Sequence, residues 1–252
     1  MWPRVRDDRL LVTALAGLIG LTWLSLWTLG RSPYGHLAHG HGGATHGFWA
    51  VYLAVGGWTL MTVAMMLPTT LPLVTLFRSV VRTHASRGRL TGMLIAGYLL
   101  IWTLLGLVAL AAHRLIEQAL AQSAWLDGHA WLIGTAIVLL AGAYQFTPLK
   151  HACLEKCRSP LSFVMQHWHG EDAEQDAFRL GIHHGLFCIG CCWSLMLLMF
   201  VVGVGSLAWM LALAAVMTIE KNVSWGRRLS APLGLVMIGT AAALVAAHAL
   251  AT

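Results

Sequence analysis

Apolar residues along the chain gather into long blocks separated by short polar stretches. Seven such blocks run roughly over Leu10–Leu29, Phe48–Phe77, Leu90–Ala112, Trp131–Pro148, Leu186–Val202, Leu207–Ile219 and Pro232–Leu250. A helix needs about 20 apolar residues to cross the hydrocarbon core of a bilayer. The pattern therefore predicts an all-α, polytopic helical membrane protein with about seven transmembrane helices. Residues 1–252 read as a single transmembrane helical domain with two notable connections, an outer loop at 31–47 and a cytoplasmic Cys-bearing loop at 149–181. The sixth block is short, with only about thirteen apolar residues ahead of Glu220. Its helix is expected to continue to about Trp225, which brings Glu220 and Lys221 within or near the inner leaflet. The first block follows Arg4, Arg6 and Arg9 as a secretory signal would, but it is about as long as a full span and no small-residue cleavage pattern follows it. It reads as an uncleaved first helix.

Composition agrees with this division. Hydrophobic residues make up 58% of the 252 and charged residues only 10%, against about a quarter charged in soluble domains. The formal charge of +6 belongs to short loops and so reports topology rather than an affinity for nucleic acid. With the N-terminus inside, the inner side holds Arg4, Arg6, Arg9, Arg78, Arg82, Arg87, Arg89, Lys150, Lys156, Arg158, Arg179, Lys221, Arg227 and Arg228. The outer side holds Arg31 and Arg114, which completes the 16 basic residues. That bias sets a cytoplasmic N-terminus in an inner (cytoplasmic) membrane, with the lipid bilayer as the surrounding partner. The 12 tryptophans suit the two membrane interfaces.

The densest chemistry lies between Gly181 and Trp193. His184, Cys188, Cys191 and Cys192 sit at helical spacings that bring them to one face. Imidazole and thiolate together point to a soft transition metal. Adjacent Cys191 and Cys192 are not expected to point the same way, so one reads as a ligand and the other as packing. Cys153 and Cys157, four apart, share the face of a helical turn, with His151 close enough to join them as a second group of metal ligands; two small buried cysteines is the alternative reading of that pair. The inner side is reducing, which favours free thiols over disulfides. Cys188 and Cys191 also form a C-x-x-C pair, which carries thiol–disulfide exchange in other settings, although no βαβ pattern accompanies it here.

Other segments contribute further candidates. In the second block Met65 and Met66 stand just before Pro68 and Pro72. Each proline removes an amide donor, and the acceptors left exposed are the carbonyls of Ala64 and Pro68. Methionine thioether suits Cu(I), and it also fills gaps in helix bundles. Glu220 and Lys221 project about 100° apart on a helix, so they call for different partners. Lys221 is placed to neutralise thiolates; an inter-helix salt bridge is the alternative role of the pair. The outer loop carries His36, His39, His41 and His46 among glycines, a composition that captures metal or is simply polar. Ser162–Leu180 reads as a helix on the membrane surface, bearing His167, Trp168 and His169, with Glu171, Asp172, Glu174 and Asp176 as a solvated face.

Several of these groups together resemble a bacterial family of predicted metal-binding integral membrane proteins. Ala64-Met65-Met66-Leu67-Pro68 is similar to its opening signature. Tyr144-Gln145, Pro148-Leu149-Lys150, Cys153 and Cys157-Arg158-Ser159-Pro160 are similar to its middle one. His184-Gly185, Cys188, Gly190-Cys191-Cys192-Trp193 and Glu220-Lys221 are similar to its last. The resemblance implies copper handling and favours His184 over His183 as a ligand. The resulting expectation is a bacterial inner-membrane protein that binds a copper ion as Cu(I), with zinc as the alternative metal, and acts in transport, chaperoning or metal insertion. A membrane or metallochaperone protein is its expected partner. A thiol redox enzyme using Cys188 and Cys191, and a structural subunit of a membrane complex, are the competing readings. No nucleotide-binding motif and no nucleophile–base pair stands out.

Overall fold

The structure, a computed structural model, describes residues 3–31, 48–123, 125, 128–170, 172–202 and 206–251. Every regular element among the described residues is helical. In chain order these are α1 (Pro3–Arg31), α2 (Phe48–Met65), α3 (Leu67–Val80), α4 (Arg87–Gln122) and α5 (Ala130–Tyr144). They are followed by α6 (Pro148–Arg158), α7 (Pro160–His167), α8 (Ala173–Val202), α9 (Leu207–Asn222), a 3₁₀ turn (Gly226–Leu229) and α10 (Ser230–Ala251). The all-helical expectation holds. The loop histidines His36, His39, His41 and His46 lie outside the described residues.

Among the described residues, three helical stretches are long and apolar enough to cross a membrane: Arg87–Gln122, Ala173–Met199 and Gly226–Leu250. The number rises to five if each of two bent pairs counts as one span, α2 with α3 (63°) and Trp131–Tyr144 with α6 (64°). The loop expected at 149–181 is largely helix, with α6, α7 and the start of α8 inside it. The surface helix expected over Ser162–Leu180 is two pieces. The break lies around Gly170, whose φ of 81° is a left-handed conformation that costs glycine little and other residues more.

The chain divides into two compact units, residues 1–106 with 159–186, and residues 107–158 with 187–252. In the first unit the α2–α3 bend sits at Met66. Met66 N–H closes α2 on Thr62 O at 2.8 Å, and α3 then starts with Pro68 in its first turn, where a missing amide hydrogen does little harm. The carbonyl of Met66 collects the donors: Thr69 N–H at 3.1 Å, the Thr69 hydroxyl at 2.8 Å and the Tyr98 hydroxyl at 3.5 Å. Protein groups thus satisfy the Met66 carbonyl at the bend, as an apolar surrounding requires. The helix break lies ahead of Pro68, at Met66, and Pro72 lies within an uninterrupted α3.

Small residues set how closely α4 and α8 approach in this unit. A Cβ on Gly97 would stand 2.3 Å from Phe178 O, and one on Gly181 would stand 2.0 Å from Leu94 O. Each glycine therefore faces the other helix's backbone directly. Further along α4, the Trp58 indole lies over Gly106 and donates to Trp102 O at 2.8 Å. Trp102, Tyr98, Phe77, Met65 and Met66 form the buried centre.

In the second unit α5 and α10 meet in the same manner. A Cβ on Gly142 would stand 2.9 Å from Met237 Cβ, and one on Gly234 would stand 2.9 Å from Gly142 O. The α5–α6 bend is a tightened turn through Gln145, Phe146 and Thr147, with Thr147 N–H on Tyr144 O at 3.0 Å. The Thr147 hydroxyl accepts from Lys150 N–H at 3.3 Å, and Pro148 opens α6. A threonine cap followed by proline is a helix start that sequence can specify locally.

Gly181→Ala is expected to destabilise the protein by about 2 kcal/mol or more, because the added methyl meets backbone that has nowhere to move. Gly239→Ala, where a Cβ meets nothing within 4 Å, should be neutral or stabilising by up to about 1 kcal/mol. Thermal unfolding of the two purified variants in one detergent checks the contrast.

Candidate metal centre

Three thiols on α8 form the centre of the second unit. The sulfurs of Cys188, Cys191 and Cys192 all lie within 4.8 Å of one another and are buried. Backbone geometry makes this possible. Cys191 turns its S–H back to Cys188 O at 3.1 Å, and Cys192 donates to the same carbonyl at 2.9 Å. One residue reaches back three positions and the other four, so both thiols wrap onto the turn that carries Cys188. The expectation that only one of the two adjacent cysteines faces inward is thereby corrected: both do. The donor set also fits a soft ion. Thiolates on one ion with metal–sulfur bonds of about 2.3 Å lie about 4 to 4.6 Å apart.

The α6 helix covers this turn. Cys153 packs on Gly190, where a Cβ would come 2.5 Å from its sulfur, so a side chain at position 190 would displace it. Cys157 places its sulfur 3.9 Å from that of Cys191. A disulfide needs about 2.05 Å, and all five cysteines are free. On the approach to α6, Tyr144 donates to Gly190 O at 2.5 Å and meets the Trp193 ring edge-on at 5.0 Å. The C-x₃-C pair and the α8 cluster, separate in sequence, therefore occupy one place.

Charge reaches the cluster from α9. Lys221 donates through Nζ to the Cys188 sulfur at 2.9 Å and lies 3.9 Å from that of Cys192. Its neighbour Glu220 turns elsewhere. The Glu220 carboxylate pairs with Lys150 Nζ at 2.8 Å and accepts from the Ser230 hydroxyl at 2.6 Å. Lys150 also donates to Gln145 Oε1, and Gln145 Nε2 donates to Ala141 O at 3.2 Å. Arg158 donates to the backbone carbonyls of Glu220 and of Ser224, the latter at 2.9 Å. A cation on the last carbonyls of α9 satisfies acceptors that the helix end leaves open. The adjacent residues thus have different partners, as their 100° separation requires.

Lys150, Gln145 and Ser230 are neighbours of the centre, joined through Glu220, that residue type alone does not reveal. Lys150 counts in the sequence as one more basic residue at a helix end, yet it is fully buried. The available signal was a lysine directly after an apolar block, with an isolated glutamate ending another block. Of the other expected site residues, Met65, Met66 and His184 belong to the first unit. The two methionines are fully buried at the α2–α3 bend. His184 is buried between Tyr98 and Phe163, with ring centres 5.7 Å and 5.5 Å away.

Breaking a buried pair leaves one charge uncompensated, at a cost of about 3 to 5 kcal/mol. Glu220→Gln alone is expected to destabilise the protein by that order. Lys150→Met with Glu220→Gln should recover much of the loss, and chemical denaturation of both variants with the parent in detergent checks the difference.

The chain matches the family PpoB2, described as a copper chaperone, over residues 55–244. That stretch contains every residue of the centre described above. Comparison with curated proteins and with solved structures finds no match. With well over half of its length matched, the protein belongs to the PpoB2 copper chaperone family.

Proposed function

We propose that the protein is a multi-pass bacterial inner-membrane protein that takes up Cu(I) as cargo at the α8 thiols and passes it on. The observation that carries this reading is the group of three buried sulfurs within 4.8 Å of one another, with an ammonium group 2.9 Å from one of them. Family membership supports copper as the ion. The sulfur-only donor set supports the cuprous state, since soft thiolates favour it.

Charge balance favours two-thiolate ligation. Cu(I) on two thiolates carries a net charge of −1, and Lys221 supplies the balancing positive charge. Glu220 and Lys150 cancel one another and leave that balance undisturbed. A buried complex of this kind avoids the large cost of an uncompensated ion in an apolar interior. Cys188 with Cys191 or Cys192 provides the primary pair, and the remaining thiol completes a three-coordinate form. Cys153 and Cys157, against the same turn, serve as the secondary pair. Met65, Met66 and His184 are assigned to the cargo's route through the first unit.

The membrane setting rests on the apolar helices and on the charge distribution. With the N-terminus in the cytoplasm and seven crossings, 14 of the 16 basic residues fall on the inner side, as the positive-inside rule requires. The three long apolar helices, or five spans if each bent pair is counted as one, support this setting, and α1 and α9 are assigned the remaining two crossings. Delivery to a protein acceptor, as a chaperone or insertion factor, fits better than conduction, because the thiols are enclosed and hold the ion tightly.

Purified protein loaded with Cu(I) is expected to retain about one copper ion per chain after desalting, and Cys188→Ser with Cys191→Ser is expected to retain none. Elemental analysis decides; equal copper in both samples, or zinc in place of copper, overturns the reading. A second measurement concerns Lys221. Lys221→Met removes a charge-assisted hydrogen bond worth about 1.5 to 3 kcal/mol, so competition with a chromogenic Cu(I) chelator should show affinity reduced by about ten- to hundredfold.

A further inference from the structure

The first unit carries a pair of imidazoles that the thiol centre does not use. His167, the last residue of α7, and His183, on α8, stand with ring centres 4.9 Å apart and planes at 54°. His167 is held from two directions. Its Nδ1 lies 2.9 Å from Phe163 O, and its ring stacks on the buried Phe163 ring with centres 4.4 Å apart and planes at 27°. A carbonyl only accepts, so Nδ1 is the protonated nitrogen of the neutral ring and the Nε2 lone pair is left available. Metal-binding histidines commonly have this arrangement, with one nitrogen donating to a carbonyl and the other free to ligate.

The turn before α8 brings the two rings together. Gly170 reverses the chain at a φ of 81°, and its N–H donates to the Asp176 carboxylate at 2.8 Å. Trp168 anchors the end of α7 edge-on against Phe77, with ring centres 5.0 Å apart. The imidazole at 167 is therefore held by Phe163 from two directions, while His183 is exposed and accessible to an incoming ion. Two imidazoles bound to one tetrahedral ion through bonds of about 2 Å place their ring centres about 5 Å apart. The observed 4.9 Å meets that requirement.

We propose that His167 and His183 form a two-imidazole docking site for a copper ion, additional to the thiol centre. Two protein ligands leave coordination positions open, and an open position lets an ion arrive or leave by ligand exchange. Imidazole nitrogen is a borderline donor, weaker for Cu(I) than thiolate, so the site holds copper less tightly than the cysteines. The choice of copper rests on the function proposed above; the geometry of the pair does not.

The experiment titrates the full-length protein in detergent with Cu(I) against a weak chromogenic chelator. The parent carries His36→Asn, His39→Asn, His41→Asn and His46→Asn, which removes the other histidine-rich stretch. The expected result is one tight equivalent followed by a second, weaker one. His183→Ala and His167→Gln should each abolish the second equivalent and leave the first in place. His183 is exposed, so its replacement leaves the fold intact, and the retained tight equivalent reports that directly. X-ray absorption of the second equivalent should show nitrogen ligation. Absence of the second equivalent from the parent, or its survival in His183→Ala, overturns the proposal. In Cys188→Ser with Cys191→Ser the weak equivalent should persist while the tight one is lost. Loss of the weak equivalent there counts against an independent site, whereas survival of the tight one counts against the thiol reading alone.

Discussion

The second unit is organised around how one buried carboxylate is satisfied. Glu220 ends the apolar run of α9 and has only 2% of its surface exposed. An ionised carboxylate in that position requires a cation and hydrogen-bond donors or it costs several kcal/mol. Lys150 comes from α6 and Ser230 from α10, so meeting the requirement fixes two helices with respect to α9. Arg158, at the far end of α6, holds the Glu220 backbone carbonyl as well. One helix is thereby clamped at both ends, and Cys153 and Cys157 lie between the clamps. Their position against Gly190 and Cys191 follows from an interaction in which no sulfur takes part.

That pairing also frees the next residue for different work. If Glu220 and Lys221 neutralised each other, no cation would remain for the thiols. Helical geometry prevents it, because adjacent side chains diverge, and Lys150 fills the place that Lys221 does not. The buried unit therefore contains a neutral pair and one additional ammonium group directed at Cys188. An ammonium group buried in this way is tolerable only beside a group able to carry negative charge, and the thiols are that group.

Much of the architecture was legible in the sequence because apolar periodicity and charge bias report burial directly. The break near Met66 is legible for a physical reason, the missing amide of Pro68, and it falls at Met65 and Met66 as that reason requires. Proline is accommodated in the first turn of a helix, so the chain bends before Pro68 and leaves Pro72 inside α3. The orientation of Cys191 and Cys192 was misjudged because Cα spacing alone was considered. A short thiol rotates about χ1, and two residues reach one carbonyl from i+3 and i+4. Lys150 was read as a topology marker because its partner lies 70 residues away; no local pattern records a pair of that range. The spacing within each cysteine motif is legible locally, whereas the packing of Cys157 against Cys191 joins residues 34 apart and is recorded in neither motif.

The number of sulfurs bears on whether the centre stores copper or hands it on. Cu(I) is satisfied by two or three thiolates, and a site built for storage alone has no need of more. Here Cys157 stands 3.9 Å from Cys191, outside the compact group of three but within reach of one of its members. Cys153 lies on the same turn through Gly190. Additional thiols at this distance allow one sulfur to bind before another lets go, so the ion is never stripped of its ligands in an apolar interior. Stepwise exchange keeps each barrier low even when overall affinity is high. On the function proposed above, thermodynamic retention and kinetic release are supplied by different residues: the α8 thiols with Lys221 beside them hold the ion, and the α6 cysteines lower the cost of giving it up.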